Sequence, residues 1–290
     1  MSILEDIKQQ YRLGGITQKL IFWNIGCFLV SLVFFYQFSA GRFAYPKWLA
    51  LSSDFSVSLP FVWTFVTYSF LHGGILHLIF NLIVLNFAGR LFLTFFSEKQ
   101  LFGVYVLGAV FSGLIFSLAY TFIFFSNAIL VGASASIMAI LFATVAYSPL
   151  MTVRLLLIGY VKLWQIALAI LVIDILQIGL SNKGGHLSHL AGALFGILFV
   201  FLLIRGTDLT KITSKTTDFF TGIFSKKPKK RYTPFKEIHI NKKKKTSVSR
   251  NSKPQKDKNQ QQIDEILDKI SRSGYDSLTK EEKDFLFRQK

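Results

Sequence analysis

Long apolar runs, separated by short polar stretches, dominate residues 1–205 of the chain. A helix that crosses a membrane needs about 20 mostly apolar residues, and six runs approach or reach that length. They predict helices over Leu20–Phe38, Ile75–Phe96, Leu101–Phe125, Ala133–Tyr147, Leu163–Leu180 and Leu187–Ile204. This pattern indicates an all-α fold class, a polytopic membrane protein whose six transmembrane helices form one bundle.

The fourth run is shorter than the others, which indicates a helix that begins inside the bilayer. Non-helical backbone at that depth is tolerated only where protein or a water-filled cavity surrounds it. The polar pair Ser126-Asn127 and the glycine Gly132 fit a loop that leads into such a helix. The segment 39–70 is too long for a tight turn. Its tryptophans suit an interfacial element on the outer membrane face, and an ordinary external loop fits the composition equally well.

The pattern changes again after the sixth run. Residues 206–258 are rich in Lys, Ser and Thr, a composition typical of disordered segments. Apolar positions then return at helical spacing from Ile263 to Ile270, and Thr279 precedes Glu281 as a helix N-cap would. The domains expected are a cytoplasmic N-terminal segment 1–18, a six-helix membrane domain 19–205, a basic flexible linker 206–258 and a small helical hairpin 259–290.

Basic residues lie mainly in the tail: of 33 Lys and Arg, 11 fall in 1–205 and 22 in 206–290. Because cytoplasmic loops carry excess Lys and Arg, the tail is expected in the cytoplasm, and six spans place the N-terminus there too. Arg42 and Lys47 then fall outside, against the rule. The prediction is an integral membrane protein with both termini cytoplasmic, in the plasma (inner) membrane if the protein is bacterial.

The basic tail suits contact with anionic lipid. Nucleic acid is not an expected partner, because no fold motif accompanies the charge. Cys27 is the only cysteine, so an intramolecular disulfide is impossible and a cysteine-based metal site is not expected. No metal and no cofactor are predicted. No small-residue cleavage site follows the first apolar run, so we expect that run to stay as a helix.

Polar side chains inside a membrane are costly, so each is a candidate for function. His72, His77 and Asn81 occur around the start of the second helix. His77 and Asn81 are four residues apart and share one helix face. In a common cavity they would donate hydrogen bonds to an oxyanion. A pair that only bonds to a neighbouring helix would show the same spacing.

The segment Gly132-Ala133-Ser134 stands where the fourth helix begins. Free backbone N–H groups and the helix dipole at that point suit a developing negative charge. A serine used for close packing of two membrane helices would look the same.

Two histidines, His186 and His189, open the sixth helix. Gly192 and Gly196 form a face that lets another helix approach closely, and His189 lies on that face. If the other helix is the fourth, His189 can take the proton of Ser134. His186 is interpreted as a structural or solvated histidine.

Asp174 lies within the fifth helix. We interpret it as structural, bonded to a neighbouring serine or amide, in preference to a role in tuning a lateral gate.

Together the motifs read His-x4-His-x3-Asn, then Gly-x-Ser, then His-x2-Gly-x3-Gly. That order and spacing, on six predicted helices, resembles the rhomboid family of intramembrane proteases over about residues 15–205. The segment Trp63–His72 is similar to the rhomboid approach to the second helix. The tail is similar to tails of some bacterial rhomboids.

The resemblance implies an intramembrane serine protease with a Ser–His dyad and no required aspartate. Ser134 would be the nucleophile and His189 the general base. His77 and Asn81, with the Ser134 amide, would form the oxyanion hole. His72 would add to the polar lining of a cavity open to the outer face. The remaining support of the site would come from Gly132, Gly192 and Gly196. The implied partners are transmembrane proteins, cut near the outer end of a partly unwound helix.

Two positions depart from the family pattern. Ala135 stands where the family usually has glycine after the nucleophile, and Met138 stands where members often have an aromatic under the histidine ring. They motivate a rival hypothesis, a catalytically inactive rhomboid-like protein that binds membrane clients. Retention of both Ser134 and His189 favours the protease. A small transporter is a third interpretation, and the lack of repeated halves weighs against it.

Overall fold

The computed structural model describes residues 2–155, 158–179, 182–213 and 258–288. The chain divides into two compact units, Met1–Pro228 and Lys229–Lys290. Helices dominate the first unit. They are α1 (Ile3–Leu13), α2 (Ile16–Phe34), α3 (Phe55–Ser58), α4 (Thr64–Thr67), α5 (Ile75–Phe92), α6 (Glu98–Ala119), α7 (Ser134–Tyr147), α8 (Leu163–Ile178) and α9 (Lys183–Ile204).

Each of the six predicted apolar runs holds one main helix. Within the described residues, four are long and apolar enough to cross a membrane, namely α2, α5, α9 and α6 with its π-helical extension to Phe124. The other two, α7 and α8, are shorter apolar helices. The predicted all-α membrane fold is confirmed, whereas the number of six spans stays a prediction.

Helix α7 lies at the centre of this unit and contacts α5, α6, α8 and α9. Every residue from Ala135 to Thr144 is buried, so this helix offers no broad face to lipid. Close packing depends on small residues. A Cβ at Gly108 of α6 would lie 2.7 Å from the Cβ of Ala139. Because protein surrounds α7, a helix of 14 residues does not have to cross the lipid by itself. Gly132 and Ala133, directly before it, are buried as well, as non-helical backbone at that depth requires.

Short antiparallel strand pairs and 3₁₀ turns connect the helices. The pairs are β1 (Tyr36–Gln37) with β2 (Arg42–Phe43), β3 (Leu51–Ser52) with β4 (Ile129–Leu130), and β5 (Thr152–Leu155) with β6 (Gly159–Lys162). The 3₁₀ turns are Leu59–Phe61 and Tyr68–Phe70. The second strand pair ties the connector after α2 to the chain just before α7, and it thereby fixes the approach to Ser134.

Polar contacts hold the connector between α2 and α5 together and fasten it to α6. The indole N–H of Trp63 donates to the Trp48 carbonyl at 2.7 Å. The buried hydroxyl of Tyr68 donates to the Ala109 carbonyl of α6 at 2.9 Å. The segment is therefore a packed element with short helices of its own, which an open loop would not be.

Several predicted helix boundaries are off by three or four residues, those of the first and last helices among them. The first predicted helix, Leu20–Phe38, occupies Ile16–Phe34, since the chain turns into β1 after Phe35. The last begins at Lys183 and not at Leu187, because the side chain of Asn182 accepts the Gly185 N–H at 3.2 Å and caps the helix. His186 and His189 consequently lie inside the first two turns of α9.

The second unit contains α10 (Lys258–Ser273) and α11 (Lys280–Arg288). The Thr279 hydroxyl accepts the Glu282 N–H at 3.3 Å, and the Glu282 carboxylate accepts the Thr279 N–H at 2.7 Å. This reciprocal cap explains where α11 begins. Most of the predicted linker 206–258 lies outside the described residues, and the domain boundaries stay predictions.

Candidate active site

Three helix starts meet around one cavity of about 470 Å³. From α5, His77 and Asn81 line it; from α7, Ser134; from α9, His189. Gly132, in the loop before α7, completes this part of the wall. The structure thus brings the sequence-predicted nucleophile, base and oxyanion donors together, while their roles stay predictions.

Ser134 is the first residue of α7. Gly132 before it has a φ of +133°, which favours glycine, and its amide donates to the Tyr68 carbonyl at 3.0 Å. The N–H of Ile137 donates to the Ala133 carbonyl at 3.0 Å, so the amides before Ile137 have no acceptor within the helix. These N–H groups and the helix dipole suit an anion beside Ser134.

His77 packs against the turn that precedes Ser134. A Cβ at Gly132 would lie 2.9 Å from both Cε1 and Nε2 of its imidazole. Nδ1 of His77 accepts a long hydrogen bond from the Gly73 N–H at 3.4 Å. With Nδ1 as an acceptor, the neutral ring carries its hydrogen on Nε2, the nitrogen beside Gly132. Only glycine leaves room for this ring.

Asn81 presents an unpaired donor. The residue is 6% exposed, and within the described part of the chain Nδ2 has no hydrogen-bond partner. A buried donor left unpaired costs about 1–3 kcal/mol. The amide is therefore set to stabilise an oxygen that enters the cavity.

Helix α9 packs directly on the backbone of α7. A Cβ at Gly192 would collide with the carbonyl of Ala135, and one at Gly196 would collide with the carbonyl of Ala139. The helix that faces these glycines is thus the one that carries Ser134. This contact holds the start of α9, with His189, next to the start of α7.

His189 has a partner that sequence reasoning missed. Its Nδ1 lies 2.9 Å from Oδ1 of Asp174, and Nδ1 of His186 lies 2.8 Å from the same oxygen. The expectation that Asp174 bonds a serine or an amide is wrong, because both of its partners are imidazoles. His186 is likewise held by a carboxylate and only 12% exposed, so it is not a solvated histidine.

His72 lies behind His77 and does not reach the cavity wall. Its side chain is fully buried, and the centroid of its ring lies 5.2 Å from that of the His77 ring. The Tyr45 hydroxyl donates to the His72 carbonyl at 2.7 Å and accepts from its N–H at 3.3 Å. Burial, and then the neighbouring His77, lower the pKa of His72 from 6.5 to about 3. His72 was expected in the cavity lining, and the structure places it in a supporting position instead.

Among the described residues, one set of side chains has the donor types of a metal site. The ligand atoms of Asp174, His186 and His189 lie within 4.8 Å of one another. Two imidazoles and a carboxylate would suit zinc. Such an ion would need both Nδ1 atoms as lone-pair donors, whereas the distances to Asp174 are those of hydrogen bonds.

No hydrogen bond joins the side chains of Ser134 and His189 in the part of the chain that the structure describes. Both line the same cavity, and catalytic hydrogen bonds are often long until substrate binds. A hydroxyl, an imidazole and unpaired N–H donors in one cavity can together perform acyl transfer.

Comparison with known proteins found similarities to two families and to a curated relative. Residues 60–206 match the model of the Rhomboid domain. The chain is 30% identical over 156 residues to "Rhomboid-related protein 1" of Caenorhabditis elegans, a match that covers 49% of this chain and 40% of that protein. The chain thus spans well under half the length of this relative. Residues 247–288 match a family of unknown function, DUF6576.

Proposed function

Because the chain belongs to the rhomboid family, we propose that it is an intramembrane serine endopeptidase with Ser134 as nucleophile and His189 as general base. One observation carries the proposal. Ser134 begins a buried helix in a cavity that also holds an imidazole and the unpaired amide of Asn81. A packing serine would need neither the imidazole nor the unpaired donor.

In the proposed reaction, His189 takes the proton of Ser134 as Oγ attacks the scissile carbonyl. Negative charge develops on the carbonyl oxygen. Asn81, His77 and the backbone N–H groups at the start of α7 donate hydrogen bonds to it. His189 then gives its proton to the leaving amine. A water molecule, activated by the same imidazole, hydrolyses the acyl-enzyme.

The proposed substrates are transmembrane helices, cut near the outer membrane face. A helical peptide bond hides its carbonyl in hydrogen bonds, so the substrate must unwind locally before it is cut. Unwound backbone needs polar partners at membrane depth. The polar groups of the cavity at the starts of α5, α7 and α9 supply such partners.

A second candidate is an inactive member of the family that binds membrane clients. The observation in its favour is that the Ser134 and His189 side chains share no hydrogen bond in the described structure. Ala135 adds to it, since this residue is 2% exposed and lies on the cavity wall directly after Ser134. In this case the cavity would hold a client helix without cutting it.

Cleavage of a transmembrane-helix substrate by the purified, reconstituted protein separates the two candidates. We expect Ser134→Ala to abolish cleavage. Ser136→Ala is the matched control, because Ser136 lies in the same helix and its buried hydroxyl has no partner among the described residues. Equal cleavage by wild type and Ser134→Ala would refute the assignment. Substrate that is retained but never cut by wild type would favour the client-binding candidate.

A further inference from the structure

Asp174 is a carboxylate in a place where a carboxylate is costly. It lies in the apolar helix α8, where Ile173 and Ile175 on either side are more than half exposed on the outer surface of the protein. The Asp174 side chain turns inward and is 5% exposed. Ionisable side chains at membrane depth are rare and face functional cavities or partners. A buried carboxylate at this position needs hydrogen-bond donors, and in the structure it has two.

Both partners bond the same oxygen. Oδ1 of Asp174 lies 2.9 Å from Nδ1 of His189 and 2.8 Å from Nδ1 of His186. An ionised carboxylate can only accept hydrogen bonds. Each Nδ1 must therefore carry a hydrogen. In a neutral His189 this leaves the proton on Nδ1 and a lone pair on Nε2.

That form of the imidazole is the one that a general base needs. A ring that presented an N–H to Ser134 could not take its proton. We propose that Asp174 is a positioning residue of the catalytic group, which holds His189 in the tautomer and orientation that presents Nε2 as the base. The inference rests on the proposed function, and it replaces the expected Ser–His dyad with a Ser–His–Asp arrangement spread over three helices.

His186 has a separate part in this arrangement. It lies one turn before His189 on α9 and donates to the same carboxylate oxygen. Two donors from one helix fix the carboxylate of another helix more firmly than one donor would. His186 thus holds Asp174 in place for His189, and it acts on the base only through Asp174.

The positioning role differs from a structural one in what it changes. If Asp174 only joined α8 to α9, its loss would lower thermal stability and weaken binding in the cavity. If Asp174 fixes the tautomer of His189, its loss slows the covalent step in which Ser134 attacks a substrate or probe that is already bound. Asp174→Asn is the sharpest variant, because its amide can donate to Nδ1 and select the wrong tautomer. In a soluble serine protease the analogous change costs on the order of 10⁴ in rate.

The test uses a fluorophosphonate, which phosphonylates an activated serine, with loss of fluoride, and needs no peptide substrate. The maximal inactivation rate and the half-saturating probe concentration are measured for wild type and Asp174→Asn. We expect Asp174→Asn to lower the maximal rate by on the order of 10³–10⁴, with little change in half-saturation. Thr144→Val is the matched control. It removes a buried hydroxyl that donates to the Ile140 carbonyl at 3.1 Å, about 15 Å along α7 from Ser134.

A spectroscopic readout follows the tautomer itself. The chain has five histidines, so ¹⁵N-histidine labelling gives few imidazole signals. We expect a hydrogen-bonded Nδ1–H signal that is lost in His189→Gln, which assigns it, and lost from His189 in Asp174→Asn. A purely structural aspartate would leave the His189 tautomer unchanged.

Each outcome has a distinct meaning. Wild type that labels at the same rate as Asp174→Asn would overturn this inference and leave the Ser134 assignment intact. If the probe does not label wild-type protein at all, the proposed function itself is refuted. Treatment with EDTA or zinc gives a third outcome. If it changes the labelling rate of wild type and leaves that of Asp174→Asn unchanged, the inference is overturned, because Asp174, His186 and His189 would then form a metal site.

Discussion

Two buried asparagines, Asn24 and Asn81, differ in whether the nitrogen of the side-chain amide is paired, although Oδ1 of Asn24 has no partner among the described residues. Nδ2 of Asn24 donates to the Leu20 carbonyl at 2.8 Å and to the Tyr105 hydroxyl at 3.3 Å. Nδ2 of Asn81 has no acceptor among the described residues. The first amide therefore stabilises the fold. For the second we propose a role in donating to a substrate oxygen in the cavity.

This difference predicts opposite effects of the same substitution. Asn81→Ala should lower cleavage about 10²–10³-fold, as loss of an oxyanion donor does, and leave the melting temperature unchanged or higher. Asn24→Ala should lower the melting temperature and leave the rate of the folded enzyme unchanged. Thermal unfolding in detergent and cleavage by the same preparations measure both. A large drop in melting temperature for Asn81→Ala would contradict its assignment.

The burial of His72 leads us to expect that the fold loses stability in acid. The pKa of His72 is about 6.5 in the unfolded chain and about 3 in the folded one. Between these values the unfolded state binds a proton that the folded state rejects, so the stability present above pH 6.5 is lost as pH falls toward 3. We expect the melting temperature of wild type to fall more between pH 7 and pH 4.5 than that of His72→Gln. Equal falls would show that His72 is not the titrating group.

At the residue scale, the sequence indicates which single residues are candidates for the site, but it does not indicate which of them are hydrogen-bonded to each other. Ser134, His189 and Asn81 are conspicuous because polar side chains in apolar helices are costly. The bond between Asp174 and His189 depends on how α8 rests against α9, and no spacing within one helix reveals that. The unpaired state of the Asn81 amide is also a property of its surroundings.

Among the helices, the contact between α7 and α9 decides the site. Gly192 and Gly196 allow the two backbones to touch, and this contact sets the separation of Ser134 and His189. The six helices themselves were predictable from apolar runs. Their ends were not, since the start of α9 depends on the cap that Asn182 provides.

Adding one methyl group tests this contact. Gly192→Ala places a Cβ into the Ala135 carbonyl, so the helices must separate. We expect a lower melting temperature and a loss of probe labelling. Gly26→Ala is the matched control, because Gly26 is also inside a helix and has nothing within 4 Å of its Cβ position; alanine there should be neutral or stabilising. Wild-type labelling by Gly192→Ala would show that this contact does not set the site.

Across the membrane unit, basic residues lie at both ends of the helices, with Arg42, Lys47 and Lys183 at the end that holds the cavity. The cavity lies at the starts of α5, α7 and α9. At the other end of these helices, basic residues accumulate: Arg90, Lys99, Arg154, Lys162 and Arg205. By the positive-inside rule we expect that end in the cytoplasm, and the opening of the cavity toward the outer face stays a prediction.

Single cysteines test this orientation. After Cys27→Ala removes the only native thiol, one cysteine is placed at Asn127 before α7, or at Thr152 after it, both exposed positions. In intact cells an impermeant maleimide should label Asn127→Cys and reach Thr152→Cys only after permeabilisation. The reverse labelling pattern would show that the protein has the opposite orientation in the membrane, with the cavity on the cytoplasmic side.

The central claim is that Ser134 is an activated nucleophile, and it is tested most directly by mass spectrometry of the fluorophosphonate-treated protein. The account predicts one added phosphonyl group on the wild-type chain, located on Ser134 by peptide mapping, and none on Ser134→Ala. An unmodified wild-type chain, or a modification on another residue that persists in Ser134→Ala, would contradict it.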